Sequence, residues 1–235
     1  MIKITRDMLR EKGACTSGYR EFCKEFSDDE YPDGVGYQDL LDICAENGRG
    51  AYASWLIDAF GHTTDVRKIE GDYISEKSIY VCGRLEVTGK IYCRGNIKAG
   101  WGIKAGESIE AGFGIKAGKS IKAGWGIKAG ESIKAGKSIE AGFGIKAGLG
   151  IEAGESIEAG ESIEAGFGIK AGLGIEAGES IEAGWGIEAG ESIKAGNDWG
   201  IYAGTHAKIS SDLRRVVAKT RPRNLMSGEF LELKE

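Results

Sequence analysis

Residues equipped for acid–base or ligand chemistry are few in this chain of 235 residues: two histidines, His62 and His206, and five cysteines, Cys15, Cys23, Cys44, Cys82 and Cys93. Group transfer asks for a nucleophile beside a base, and a structural metal site asks for three or four ligands at close spacing. Neither pattern is present. No Cys-x-x-Cys pair occurs, and the cysteines read as reduced, mostly buried small hydrophobes. Carboxylates are the exception, because Glu152, Glu155, Glu158, Glu161, Glu164, Glu176, Glu179, Glu182, Glu188 and Glu191 recur at regular intervals. Carboxylates so ordered do no covalent chemistry; they build a field that a basic surface can recognise. What they can do depends on the elements that hold them.

Those elements are a repeat. From Ile97 to Asp198 the chain divides into 17 hexads of the form Ile-(Lys/Glu)-Ala-Gly-x-(Gly/Ser), with Ile, Ala and Gly invariant at positions one, three and four. Looser hexads start at Ile79, Leu85 and Ile91, and another at Ile201, giving 21 units. Ile and Ala alternating about a charged residue is the period-two pattern of a short strand with two side chains inward and one outward. Gly-x-(Gly/Ser) then forms a corner, where the invariant Gly supplies either a positive φ or a close approach. A three-residue strand cannot bury its own apolar side, so the units stack, each buried Ile contributing about 1.5–3 kcal/mol. The expected fold is therefore mainly β, a β-solenoid (β-helix) of about 21 six-residue units.

Position five sorts the corners. Trp101, Phe113, Trp125, Phe143, Leu149, Phe167, Leu173 and Trp185 are each followed by Gly, whereas a charged residue there is followed by Ser. Apolar residues recur every 12 positions and glutamate every 24. This spacing favours a coil of two hexads over a triangular coil of three. A two-hexad coil collects Trp101, Phe113, Trp125, Leu149, Leu173 and Trp185 on one self-association edge. The hexads depart from those of hexapeptide acyltransferases, in which a small residue precedes the aliphatic one by two positions. No cofactor or metal is expected, and an enzyme is not.

Residues 1–60 differ, with mixed charge and helical spacing. Thr5 can cap a helix through Lys12, Ser17 a second, and Tyr37 to Glu46 and Ala51 to Phe60 continue the pattern. We expect a small helical bundle that caps the first coil, giving three parts: 1–72, bundle and connection; 73–206, solenoid; 207–235, a basic helix or strand cap. In the last, Leu213, Val216 and Val217 stand at helical spacing, and Phe230 to Leu233 reads as a closing strand.

The string Gly13-Ala-Cys-Thr-Ser-Gly-Tyr-Arg-Glu-Phe22, then Tyr37-Gln-Asp-Leu-Leu41 and Ala53-Ser-Trp-Leu56, followed by the hexads, resembles a group of phage- and prophage-encoded repeat proteins with an N-terminal helical cap. The resemblance implies a phage setting and supplies no catalytic residues.

The net charge of −5 hides a polarity: residues 97–150 carry 9 basic and 4 acidic groups, and residues 151–198 carry 2 and 11. No apolar stretch is long enough to span a membrane and the start is charged throughout, so a cytoplasmic protein is expected. The expected function is a non-enzymatic binding protein. Its ten glutamates would form an acidic face that blocks a host defence or DNA-processing enzyme, as an anti-CRISPR or anti-restriction protein does, sterically or by imitating nucleic acid. The alternative is a self-assembling scaffold. A protein partner and a homodimer are expected; direct binding of nucleic acid is not.

Overall fold

Every hexad of the regular array except the last folds into a strand that holds Ile, its central neighbour and Ala, with the Ile and Ala side chains buried. The computed structural model describes residues 2–27, 29–206 and 212–234. From Ile97 to Ile175 each strand of the array pairs in parallel with the one 18 residues on: Ile109 with Ile127, Ile115 with Ile133, Ile121 with Ile139. The coil therefore holds three hexads, not the two that the position-five spacing favoured. Three parallel sheets of nine, eight and nine strands result, a β-solenoid of about nine turns.

We name the faces by their strands. The first runs from Ile79–Val81 through Ile97–Ala99 to Glu229–Glu232, and the second from Val66–Ile69 through Ile103–Ala105 to Ser192–Lys194. The third runs from Tyr73–Ser75 through Ile109–Ala111 to Leu225–Ser227. The coil is longer than the hexads alone indicate, since strands at Val66–Ile69, Arg215–Ala218 and Glu229–Glu232 join the same sheets.

The invariant glycines owe their place to close approach. None in the array has a positive φ. A Cβ on Gly142 would lie 2.0 Å from the carbonyl oxygen of Gly124, one coil earlier, and Gly130, Gly148 and Gly160 meet their counterparts at the same distance. At position six the crowding is milder, with a Cβ on Gly144 meeting the Ser162 oxygen at 3.3 Å. Polar residues there reach along the axis: Ser78 Oγ accepts from the Asn96 amide at 3.0 Å, and Asn96 Oδ1 accepts from the Gly114 amide at 3.0 Å.

Four helices form the cap: α1 (Arg6–Glu11), α2 (Thr16–Glu25), α3 (Tyr37–Glu46) and α4 (Gly50–Phe60). Thr5 caps α1, accepting from the Met8 amide at 3.3 Å. Helix α2 starts two residues earlier than a Ser17 cap implies, with the Cys15 sulfur accepting from the Gly18 amide at 3.4 Å. The cap closes the otherwise open edge of the first face. Gln38 donates to the Tyr80 carbonyl at 2.9 Å and accepts from the Cys82 amide at 3.0 Å, replacing a neighbouring strand. Lys98, buried beneath α4, donates to Ser54 Oγ at 2.7 Å, the Ser54 carbonyl at 2.9 Å and Asp58 at 2.7 Å.

At the other end, Leu213 sits in a single 3-10 turn, Asp212–Arg214, and Val216 and Val217 lie in the strand Arg215–Ala218, not in a helix. Adjacent β-branched residues suit a strand, and Val216 and Ala218 point inward in the Ile and Ala places. The strand Glu229–Glu232 completes the first face, in parallel with it. Residues 207–211 of the expected C-terminal segment lie outside the described residues.

Gly142→Ala is expected to lower stability by about 1–3 kcal/mol or more, because backbone and not a flexible side chain must move aside. Gly144→Ala is expected to cost less than about 1 kcal/mol. Urea midpoints compare the two, and equal losses would contradict the close-approach account.

Candidate functional site: an acidic edge

Outward positions follow the three-hexad coil, so the ten glutamates form a girdle and not one face. Glu152 and Glu188 stand on the first face, Glu158 and Glu176 on the second, and Glu164 and Glu182 on the third. Glu155 and Glu191 lie on the corner after the first face, and Glu161 and Glu179 on the corner after the second.

Much of this charge is matched along the axis. Lys134 pairs with Glu152 at 2.9 Å, Lys137 with Glu155 at 2.8 Å, Lys170 with Glu188 at 3.1 Å, and Lys146 with Glu164. Lys194 lies 3.8 Å from Glu176. The partners are one coil apart, where residues 18 apart become neighbours across about 4.8 Å. Hydrogen bonds to Glu140 and Glu164 raise the pKa values of Lys122 and Lys146. These exposed pairs add little stability, at most about 1 kcal/mol each.

Among the described residues, Glu158, Glu161, Glu179, Glu182 and Glu191 carry no ion pair with a base. The first four are adjacent. On the second face Glu140, Glu158 and Glu176 stack in one column. At the corner that follows, the Glu179 amide donates to the Glu161 carbonyl at 3.1 Å, and on the third face Glu164 stacks on Glu182. Seven carboxylates thus line one edge over three coils, with Lys122, Lys146 and Lys194 as the countercharges. Glu179 accepts a hydrogen bond from Ser162 Oγ at 3.1 Å. Less the three countercharges, four charges over three coil heights of about 4.8 Å are about one per 3.6 Å, close to the spacing of about 3.4 Å per phosphate of a single DNA strand. Sequence spacing alone singles out the glutamates; it does not separate the paired ones from the unpaired, which requires the coil length.

The expected apolar edge is likewise divided. Trp101 and Leu173 fall on the first corner, Trp125 on the second with Phe143, and Phe113, Leu149 and Trp185 on the third with Phe167. Trp101 is not free, since Lys119 lies 3.9 Å from its ring centroid and His62 packs edge-on at 4.7 Å. Phe167 and Trp185 stack at 4.3 Å.

Elsewhere, the cap holds an apolar hollow of about 310 Å³ lined by Phe22, Phe26, Leu40 and Trp55. Burial pushes the Cys44 thiol in its wall up to about 11. His206 Nδ1 lies 3.3 Å from the Gly166 carbonyl, far along the coil from His62 beside Trp101. No group of three or more His, Cys, Asp or Glu among the described residues is placed to hold a metal ion. No helix among them is long and apolar enough to cross a membrane.

Residues 1–63, the helical cap, match the YdhT N-terminal domain family. No curated protein and no solved structure matches the chain.

Glu158→Lys sits between Glu140 and Glu176 and relieves two like-charge contacts. Its unfolding midpoint should rise, by up to about 1 kcal/mol and more in low salt. A fall would mean that the column is held by contacts other than those described.

Proposed function

We propose that this chain is a non-enzymatic binding protein whose acidic edge occupies the basic nucleic-acid channel of another protein. The observation that carries the reading is the concentration of Glu158, Glu161, Glu179 and Glu182 without countercharge on one edge of a stiff coil. Most neighbouring outward charges of the coil are matched within the chain. A rigid array needs no ordering when it binds, so its field is available to a partner at little entropic cost. Steering by such a field is fast and sensitive to salt.

The partner class follows from the chemistry: a nucleic-acid-handling enzyme, whose channel is basic and shaped to a line of phosphates. The resemblance of the cap strings and hexads to phage-encoded repeat proteins supports a phage setting. In that setting a host defence or DNA-processing enzyme, of the CRISPR or restriction kind, is the target, in the host cytoplasm. End-to-end scaffold growth is disfavoured by the cap, whose Gln38 occupies the open edge of the first face.

Pull-down from a bacterial lysate tests the reading. The immobilised chain should retain a nucleic-acid-handling enzyme at low ionic strength and release it in roughly 0.5 M salt, where screening falls to a few ångströms. The chain carrying Glu158→Lys, Glu161→Lys, Glu176→Lys and Glu179→Lys should lose that protein while remaining folded by circular dichroism. Undiminished retention by this variant would rule out charge mimicry.

A further inference from the structure

The three faces are unequal as surfaces. The first is overhung by α4 at one end, above Lys98, and bordered by the 3-10 turn at the other. Beyond Val66, exposed on its first strand, the second presents charge, from Lys68 and Glu86 through Lys104 and Lys122 to Glu140, Glu158, Glu176 and Lys194. The third has no element over it among the described residues, and it carries apolar outward side chains at both ends, Ile74 and Tyr92 at one and Tyr202 and Met226 at the other. Ile74 is 59% exposed and Met226 67%. Corners with Trp125, Phe143, Leu149 and Phe167 exposed run along both of its margins.

We propose that the third face is the interface of a two-fold symmetric antiparallel dimer, its occupant a second copy of this chain. The argument is self-complementarity. Along the axis the outward residues are Tyr92, Glu110, Lys128, Lys146, Glu164, Glu182, Tyr202 and Met226. With a two-fold axis between the levels of Lys146 and Glu164, parallel to the strands, Lys146 of each copy faces Glu164 of the other. On the same axis Lys128 faces Glu182, Glu110 faces the Tyr202 hydroxyl, and Tyr92 faces Met226. Leu149 and Phe167, on one margin, meet across the axis.

A closed isologous interface is the commonest homo-oligomer arrangement, and it requires this kind of reversal. Placing the copies parallel instead stacks Glu110, Lys128, Lys146, Glu164 and Glu182 on themselves, which like-charge repulsion forbids. The dimension also fits. Eight strand levels, from Tyr92 to Met226, overlap across about 34 Å, and a width of about 15–20 Å including the corners gives roughly 500–670 Å² per copy, at the low end of specific interfaces, about 600 Å² per copy. The dimer leaves Glu140, Glu158 and Glu176 on the second face uncovered, sets Glu161 opposite Phe143 and Glu179 opposite Trp125 at the shared corner, and covers Glu164 and Glu182; it does not rest on the function proposed above.

Sedimentation velocity on the full chain at micromolar concentration should give twice the chain mass of 25.0 kDa. Lys128→Glu alone, or Glu182→Lys alone, sets like charges opposite each other twice and should weaken the dimer at least about tenfold. An equimolar mixture of the two variants restores both opposite-charge contacts and should dimerise as the unaltered chain does. Circular dichroism checks that each variant is folded. A strict monomer of the unaltered chain, a dimer indifferent to both substitutions, or no recovery on mixing would each overturn the proposal.

Discussion

The contact on which this molecule depends is between the position-four glycine of each hexad and the carbonyl oxygen of the residue 18 positions earlier. At 2.0 Å from that oxygen there is no room for a Cβ, and the corner passes only because none is present. That approach brings the corner amides into line: the Gly142 amide donates to the Ala123 carbonyl at 3.2 Å, and the Phe143 amide to the Trp125 carbonyl at 3.0 Å. Coils stacked in this way keep Ile over Ile and Ala over Ala on all three faces. The core is then one continuous column of buried Ile and Ala from the cap to Ala218.

Fixing the interior fixes the surface. Since a residue's neighbours along the axis stand 18 positions away, ion pairs form at that interval, as Lys122 with Glu140 at 2.5 Å and Lys128 with Glu110 at 3.2 Å. The change from lysine to glutamate along the chain places opposite charges in contact where the two blocks meet. Beyond that boundary, glutamate stacks on glutamate at one edge, where Glu158, Glu161, Glu179 and Glu182 have no ion pair among the described residues. The same register gives the third face its alternation of charge between apolar ends. An acidic edge and a self-complementary face are therefore products of one constraint, on neighbouring sides of one coil.

Much of the strand architecture is legible in the residues because the period-two burial and the glycine corners are local. Coil closure is not local. The 12-residue recurrence of Trp101, Phe113 and Trp125 is a property of the sequence, whereas closure depends on how far each corner turns the chain, and three equal corners close a triangle. The ten glutamates were identifiable, but their division into five with a lysine partner and five without depends wholly on that closure. At the C-terminus, Leu213, Val216 and Val217 fit a helical spacing. Val216 in the place of an Ile and Ala218 in that of an Ala fit a strand better, because the stack beneath them rewards that alternation. The role of Gln38 as a surrogate strand has no sequence signal, since it depends on where α3 meets Tyr80 and Cys82.

Coil length can be measured directly by cross-linking. Ser162 and Ser180, 18 residues apart, place their hydroxyl oxygens 3.2 Å from each other. Ser162→Cys with Ser180→Cys should form a disulfide under mild oxidation, read by peptide mass spectrometry, because the backbones are within the span that a disulfide bridges. Ser180→Cys with Ser192→Cys, 12 residues apart and on different faces, should not. The opposite result, a bond at an interval of 12 and none at 18, would contradict the three-hexad coil and with it the acidic edge and the dimer face.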